Sequence, residues 1–380
     1  MDTNYICELC NKIFTKKSSF TSHKNRKTSC KKDIITNKKD LGQFYTTNYS
    51  YILQNLKIPK KEKNIIEPFA GQGDLLNFIE KEDDFSIECY DIDPKKEFIT
   101  KRDTLLNPPE YKDKFVITNP PYLARNKSDN KELFDKYNQN DLYKCLIDEL
   151  TRNIASGGIL IIPLNFWCSI RKSDIEIRKK FVDVYNILIL NIFEEKVFDD
   201  TSYTICSFQF EKKDNIENKI TECYIYPEKK HINFDLNKEN NYTIGGEIYN
   251  LKQDKKIKIE RLTTNNEDSK YITNILVKCI DDSINSKIDL KIVKDEDIYI
   301  DKTPNLSARS YTSLIIEPKL TLEKQHMLVK DFNEFLNNQR DKYHSLFLTN
   351  YRESNTIARK RISFTLVFEI VNYLVSINKY

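Results

Sequence analysis

Asn64-Ile65-Ile66-Glu67-Pro68-Phe69-Ala70-Gly71-Gln72-Gly73-Asp74 is the stretch from which the fold can be read. Asn64–Glu67 is a short apolar run closed by an acid, the pattern of a buried strand. Pro68 and two glycines end it in a loop, and Leu75–Glu80 then looks helical. The same grammar repeats outward. Ser86–Tyr90 reads as a second strand, ending at Asp91-Ile92-Asp93-Pro94. Phe115–Thr118 is a third, running into Asn119-Pro120-Pro121-Tyr122. A helical segment, Asp141–Ala155, precedes Gly157-Gly158 and the apolar strand Ile159–Pro163, and Ile187–Ile192 and Thr204–Phe210 add two more strands. Strands alternating with helices through short turns imply an α/β fold with a doubly wound, mainly parallel sheet.

In such sheets a ligand sits beyond the C-terminal ends of the strands, and the informative residues all fall there. Gly71 and Gly73 let the backbone approach a nucleoside closely, and Asp91 at a strand end can accept bonds from ribose hydroxyls. A dinucleotide site shares this logic, but its third glycine is replaced by Leu76. Glu67, Asp91 and Asp103 also fit plain solvated strand ends. Asn119-Pro120-Pro121-Tyr122 decides between the readings. An exocyclic amine is a poor nucleophile because its lone pair is delocalised into the ring. The Asn119 side-chain oxygen and the Pro120 carbonyl can both accept from the amino hydrogens and so localise that lone pair. Tyr122 can stack on the base, and the prolines fix a rigid turn.

The chain has 380 residues, a formal net charge of +4 and a mean hydropathy of −0.61. Low glycine and proline exclude collagen-like and mucin-like classes. The most apolar tract, Ile362–Ile377, is interrupted by Glu369 and Asn372 and reads as a packed element, so no membrane partner is expected. A polar N-terminus without a signal-peptide core implies an intracellular protein. Residues 1–40 carry ten cations against four acids, which leaves the remainder slightly acidic. A basic head on a near-neutral body suits contact with a polyanion, as it also suits a solvated arm.

Of nine cysteines, six are scattered singly and read as buried thiols. The other three lie in the first thirty residues. Cys7-x2-Cys10, Phe14, Phe20 and His23 reproduce the spacing of a zinc finger with two strands and a helix, with Tyr5, Phe14 and Phe20 as its core. A unit of about thirty residues cannot bury enough surface alone, so a structural zinc must supply the missing stability. The fourth ligand is Cys30, since the usual second histidine is absent. If His23 is the seventh helical residue, the base-facing positions are Lys16, Ser19 and Ser22. Phosphate contact and protein docking both remain open for the finger. It resembles the CCHC-type fingers attached to many giant-virus proteins.

Residues 41–211 resemble the S-adenosylmethionine-dependent amino methyltransferases that act on adenine N6 in DNA. The order is that of their gamma class: Gly42-Gln43-Phe44-Tyr45-Thr46-Thr47, then Glu67–Asp74, then Asn-Pro-Pro-Tyr, with a target-recognition region last. Asp141-Leu142-Tyr143 and Gly157-Gly158-Ile159-Leu160 match later motifs. The resemblance implies that Thr46 and Glu67 hold the methionine end of the cofactor, with Gly71 and Gly73 shaping the loop. It gives Asp91 the ribose and Asp103 the cofactor's adenine amino group. It also implies that Phe198 packs on the extruded target base, a position an ordinary core phenylalanine would equally occupy. Thr47 stands where the family has proline, and the Glu67 motif departs from the commoner aspartate-first version.

The resulting organisation is a zinc finger at 1–32, a Rossmann-like methyltransferase domain at 33–211 and an α+β recognition domain at 212–380. The expected reaction is methyl transfer from S-adenosylmethionine to N6 of a flipped adenine in double-stranded DNA, with a cognate restriction endonuclease as a possible partner and a host cytoplasm as the setting if the chain is virus-encoded. The alternatives are an RNA adenine or protein glutamine substrate, or an inactive DNA-binding module. Arg352, Arg359, Lys360 and Arg361 form a basic cluster suited to phosphates or to a solvated helix face.

Overall fold

A computed structural model of the chain describes residues 5–7, 13–24, 42, 46–79, 85–198, 203–214, 219–280, 288–302, 310–353, 358–378 and 380. At the N-terminus β1 (Tyr5–Ile6) pairs antiparallel with β2 (Ile13–Phe14), and the helix Lys17–Lys24 follows. The Phe20 ring lies 5.8 Å from Tyr5 and 5.9 Å from Phe14, so the three half-buried rings lie together. His23 is the seventh residue of that helix.

The body begins with β3 (Asn64–Glu67), β4 (Ser86–Asp91), β5 (Thr100–Lys101), β6 (Phe115–Thr118) and β7 (Gly157–Pro163). It continues through β8 (Tyr185–Phe193), β9 (Ile205–Lys212), β10 (Thr221–Tyr226) and β11 (Lys230–Phe234). These make a nine-stranded sheet in the order β11-β10-β8-β9-β7-β6-β3-β4-β5. The run from β5 to β7 is parallel throughout, while β9 inserts antiparallel between β7 and β8. Every residue of β6 and β7 is buried, which is why both read as continuous apolar runs. Gly158 is required by close approach: a Cβ there would lie 2.4 Å from the Val116 carbonyl oxygen and 2.7 Å from the Phe210 ring.

Two local expectations change. Leu75–Glu80 is not an α-helix: a 3-10 turn, Asp74–Phe78, follows the left-handed Gly73 (φ 78°). The domain boundary at 211 also moves, because β10 pairs parallel with β8 and β11 extends the same sheet to Phe234. The segment after β9 is polar enough to look like a linker, but Cys223, Ile225 and Tyr226 bury against the sheet.

Beyond it, β12 (Lys258–Arg261), β13 (Ile272–Lys278), β14 (Asp289–Ile292) and β15 (Tyr311–Glu317) form an antiparallel sheet in the order β12-β15-β13-β14. Alternate residues of β13 are buried, and the helix Leu322–Tyr343 buries Leu328, Phe332 and Leu336 in the same core. A ribbon, β16 (Thr349–Glu353) with β17 (Ala358–Arg361), precedes the helix Phe364–Asn378. No helix among the described residues is long and apolar enough to cross a membrane. Lys360, 2% exposed, does not belong to a solvated cluster: it meets Glu194 just after β8, and His344 lies 3.1 Å from the same carboxylate. Burial pushes the Glu194 carboxyl up, but Lys360 and His344 together pull it down to about 2.

Candidate active site

The chain leaves β3 toward β4 on one side and returns through β6 on the other, so a crevice opens where the strand order reverses. A cavity of about 360 Å³ fills it, lined by Thr46, Glu67, Gly71, Asp91, Asp103, Asn119 and Pro121 among others. These seven expected residues, drawn from stretches far apart in the sequence, are thus brought to one place. Gly73 shapes the loop from outside, donating from its N–H to the Ala70 carbonyl at 2.6 Å.

Asp91 fastens that loop to β4. One of its oxygens accepts from Gly71 N–H and the other from Asp93 N–H, both at 2.8 Å. Asp103 Oδ1 accepts from the N–H groups of Leu105 and Leu106 at 3.1 and 2.9 Å. Glu67 differs. It is 1% exposed, and its Oε2 has no hydrogen-bond partner among the described residues. Burial pushes its carboxyl well above the usual range, and Asp74 and Asp91 push the same way. The same cavity is also lined by Asp74, Asp91, Asp103 and Asp129, an acidic wall that favours a cationic ligand, whose arrival would in turn favour the ionised form of Glu67. Among the described residues Arg102 is the one cation in that lining, and its guanidinium already donates to the Asn107 and Pro108 carbonyls at 2.8 Å.

Asn119 follows β6 and closes the cavity's far side. Its amide lies 3.0 Å from Thr46 Oγ1, which couples the first sequence motif to the Asn-Pro-Pro-Tyr turn. A backbone bond of 2.9 Å from Tyr122 N–H to the Gly42 carbonyl ties the same two segments. Gln43, Phe44 and Tyr45 lie outside the described residues. Pro120 is buried in the turn, and Tyr122 is 4% exposed with its ring edge-on to Tyr143 and Tyr203, centroids 6.1 and 6.4 Å away. The Tyr122 hydroxyl bonds the Asn119 side chain and lies 2.8 Å from the Ile161 carbonyl. The Tyr122 ring is thus enclosed by neighbouring tyrosines in the absence of a base. Phe198 is 7% exposed within the main hydrophobic core.

A second cavity of about 640 Å³ lies beside the first. Leu123 and Leu142 line the first cavity while their neighbours Ala124 and Asp141 line the second, so one bridged pair of segments separates the two. Tyr143, Asn165 and Tyr203 contribute to its wall, and Arg125, Lys131, Arg171 and Arg361 bring positive charge. Burial raises the Asp141 carboxyl to about 7 against the pull of Lys144 and nearby backbone N–H groups, and its Oδ1 lacks a hydrogen-bond partner among the described residues. Sequence reading missed Asp74, Asp141 as a wall residue and Tyr203. Asp74 stood in the loop already singled out, whereas only the fold brings Tyr203 to Tyr122.

In the N-terminal ββα unit, Cys7 is fully buried and His23 is 5% exposed, with the His23 ring 4.8 Å from Phe14. The other two expected ligands, Cys10 and Cys30, lie outside the described residues. No group of three or more metal-ligating side chains is found among the described residues.

No family model matches the chain, and no curated protein matches it. Solved structures resemble it at a distance. The methyltransferase subunit of a type I restriction-modification system from Streptococcus thermophilus is 15% identical over 48% of this chain and 47% of its own, with a TM-score of 0.37. A Listeria monocytogenes protein assigned to the class I S-adenosylmethionine-dependent methyltransferases is 16% identical over 46% of this chain and 61% of its own, at 0.36. The DrdV protein, solved in complex with DNA, is 14% identical over 63% of this chain and 33% of its own, at 0.40. The chain spans a little under half the length of the first proteins it matches. Likeness this distant leaves the activity to be read from the chain's own residues.

Proposed function

We propose that the chain is an S-adenosylmethionine-dependent methyltransferase acting on N6 of adenine in double-stranded DNA, with the target base turned out of the helix. The observation that carries the reading is the buried Glu67 carboxyl, whose Oε2 has no hydrogen-bond partner among the described residues, in an acid-lined cavity that Asn119 also lines. S-adenosylmethionine, when bound, supplies a methyl group activated on a sulfonium. Its ammonium and sulfonium are the cations such a cavity suits. Glu67 and Thr46 hold the methionine end, Asp91 the ribose hydroxyls and Asp103 the adenine amino group. Asn119 Oδ1 and the Pro120 carbonyl accept from the target amine and localise its lone pair toward the donor. The second cavity, with tyrosine walls and five cationic side chains, suits a nucleotide and its phosphates.

The finger belongs to the same proposal as a structural zinc site with Cys7, Cys10, His23 and Cys30 as ligands, the buried Cys7 and His23 being its described half. Titration with S-adenosylmethionine by calorimetry tests the cofactor reading. The wild-type chain should bind it, and Glu67→Ala should weaken binding at least about tenfold, as expected when a bond to a charged group is removed. Equal affinity for the two proteins would refute the assignment of Glu67.

A further inference from the structure

Lys360 and Arg361 stand side by side in a basic stretch, yet β17 sends them opposite ways, because successive side chains of a strand point to opposite faces. Lys360, 2% exposed, lies against Glu194. Arg361 instead lines the second cavity, as does Thr349, its partner across the β16–β17 ribbon. One carboxylate thus grips two parts of the C-terminal unit. Glu194 Oε1 takes the Lys360 ammonium, and Oε2 lies 3.1 Å from Nε2 of His344, the residue that ends the helix Leu322–Tyr343. The Lys360 ammonium also donates to the His344 carbonyl at 3.2 Å. Glu194 is fixed in turn to the large sheet, its N–H donating to the Tyr226 carbonyl of β10 at 2.9 Å. The other cations of the second cavity (Arg125, Lys131, Lys144 and Arg171) precede β8, so among the described residues Arg361 is the cation that the C-terminal unit supplies.

We propose that Lys360 is a positioning residue for DNA: its buried pair with Glu194 holds β17 to the large sheet, so that Arg361 meets a phosphate of the DNA in the second cavity. This deepens the proposed function and rests on it for the ligand of that cavity. Lys360 is too enclosed to reach a phosphate itself and acts through the strand. Glu194 serves the same end from the sheet side.

Binding of a labelled random-sequence DNA duplex to the full chain, measured at several salt concentrations, tests the assignment. Arg361→Gln should lower the slope of log affinity against log salt by about one and weaken binding roughly tenfold, as for one lost charge-assisted contact. Lys360→Met should reproduce both losses, although the ammonium it removes is buried, and adding Arg361→Gln to it should change little further. S-adenosylmethionine affinity should stay within about twofold of wild type throughout. Lys360→Met leaves Glu194 buried without its cation, so the double variant Glu194→Gln/Lys360→Met, which removes both charges, is measured beside it and should show the same lowered slope. A wild-type slope in either folded Lys360 variant overturns the proposal while leaving the DNA reading intact. Losses from Lys360→Met and Arg361→Gln that add in full overturn it as well. A wild-type chain that binds cofactor but no DNA would refute the DNA reading and the proposal with it.

Discussion

Glu67 carries a proton more tightly in the folded chain than in the unfolded one, because burial and two neighbouring acids oppose its charge. A carboxyl raised in this way contributes stability that is complete below its unfolded value, about 4.3, and is lost as pH rises through the higher folded value. In the absence of cofactor, urea midpoints should therefore decline over that window more for the wild type than for Glu67→Gln, and S-adenosylmethionine should remove the difference. Parallel pH profiles for the two proteins would show that Glu67 is ionised without a ligand. Phe198→Ala should lower the unfolding free energy by about 3 kcal/mol, the cost of emptying a core site, measured by the same denaturation. Glu67, Asp91 and Asn119 are legible in the sequence because each ends an apolar run, and the end of a strand is where a parallel sheet presents side chains. The enclosure of Tyr122 is not legible, since the rings that cover it, Tyr143 and Tyr203, arrive from a helix and from the approach to β9.

At the scale of elements, Gly158 of β7 lies tight between the Val116 carbonyl of β6 and the Phe210 ring of β9. Gly158→Ala drives a methyl into the Val116 carbonyl and the Phe210 ring, so it should destabilise the sheet by about 1–3 kcal/mol or more, readable as a lower urea midpoint. The Gly-Gly pair signals a tight site, but not which strand crowds it: β9 is inserted antiparallel between β7 and β8, a non-sequential pairing that no local pattern announces. The N-terminal ββα unit is the opposite case, its strands, helix and ring contacts all following from spacing within about twenty residues. A chain beginning near Asp40 should fold, bind cofactor and methylate the same sites, and a chelator should leave the main unfolding transition of the full chain in place. If the finger touches phosphates, the truncated chain's DNA affinity should fall less steeply with salt, by roughly one counterion for each phosphate the finger neutralises. A truncated enzyme that is folded but inactive would refute separability.

Across the whole molecule, the two larger units meet around buried polar groups rather than an apolar seam alone. Lys360 of β17 reaches Glu194 just after β8, and Thr349 and Arg361 help line the second cavity. The C-terminal unit thus contributes to the wall of the second cavity. Its sheet is visible in the sequence only as scattered apolar runs, because its pairings join strands through segments of varied length and irregular register. Methyl transfer to adenine can be read by incubating the purified chain with S-adenosylmethionine and a complex double-stranded DNA library, then mapping modified bases by sequencing. N6-methyladenine should accumulate within one sequence context, and Asn119→Ala should lower its formation on the order of 100-fold or more while still binding the cofactor. Absence of N6-methyladenine from wild-type reactions in which the cofactor is bound, or equal methylation by Asn119→Ala, would contradict the account.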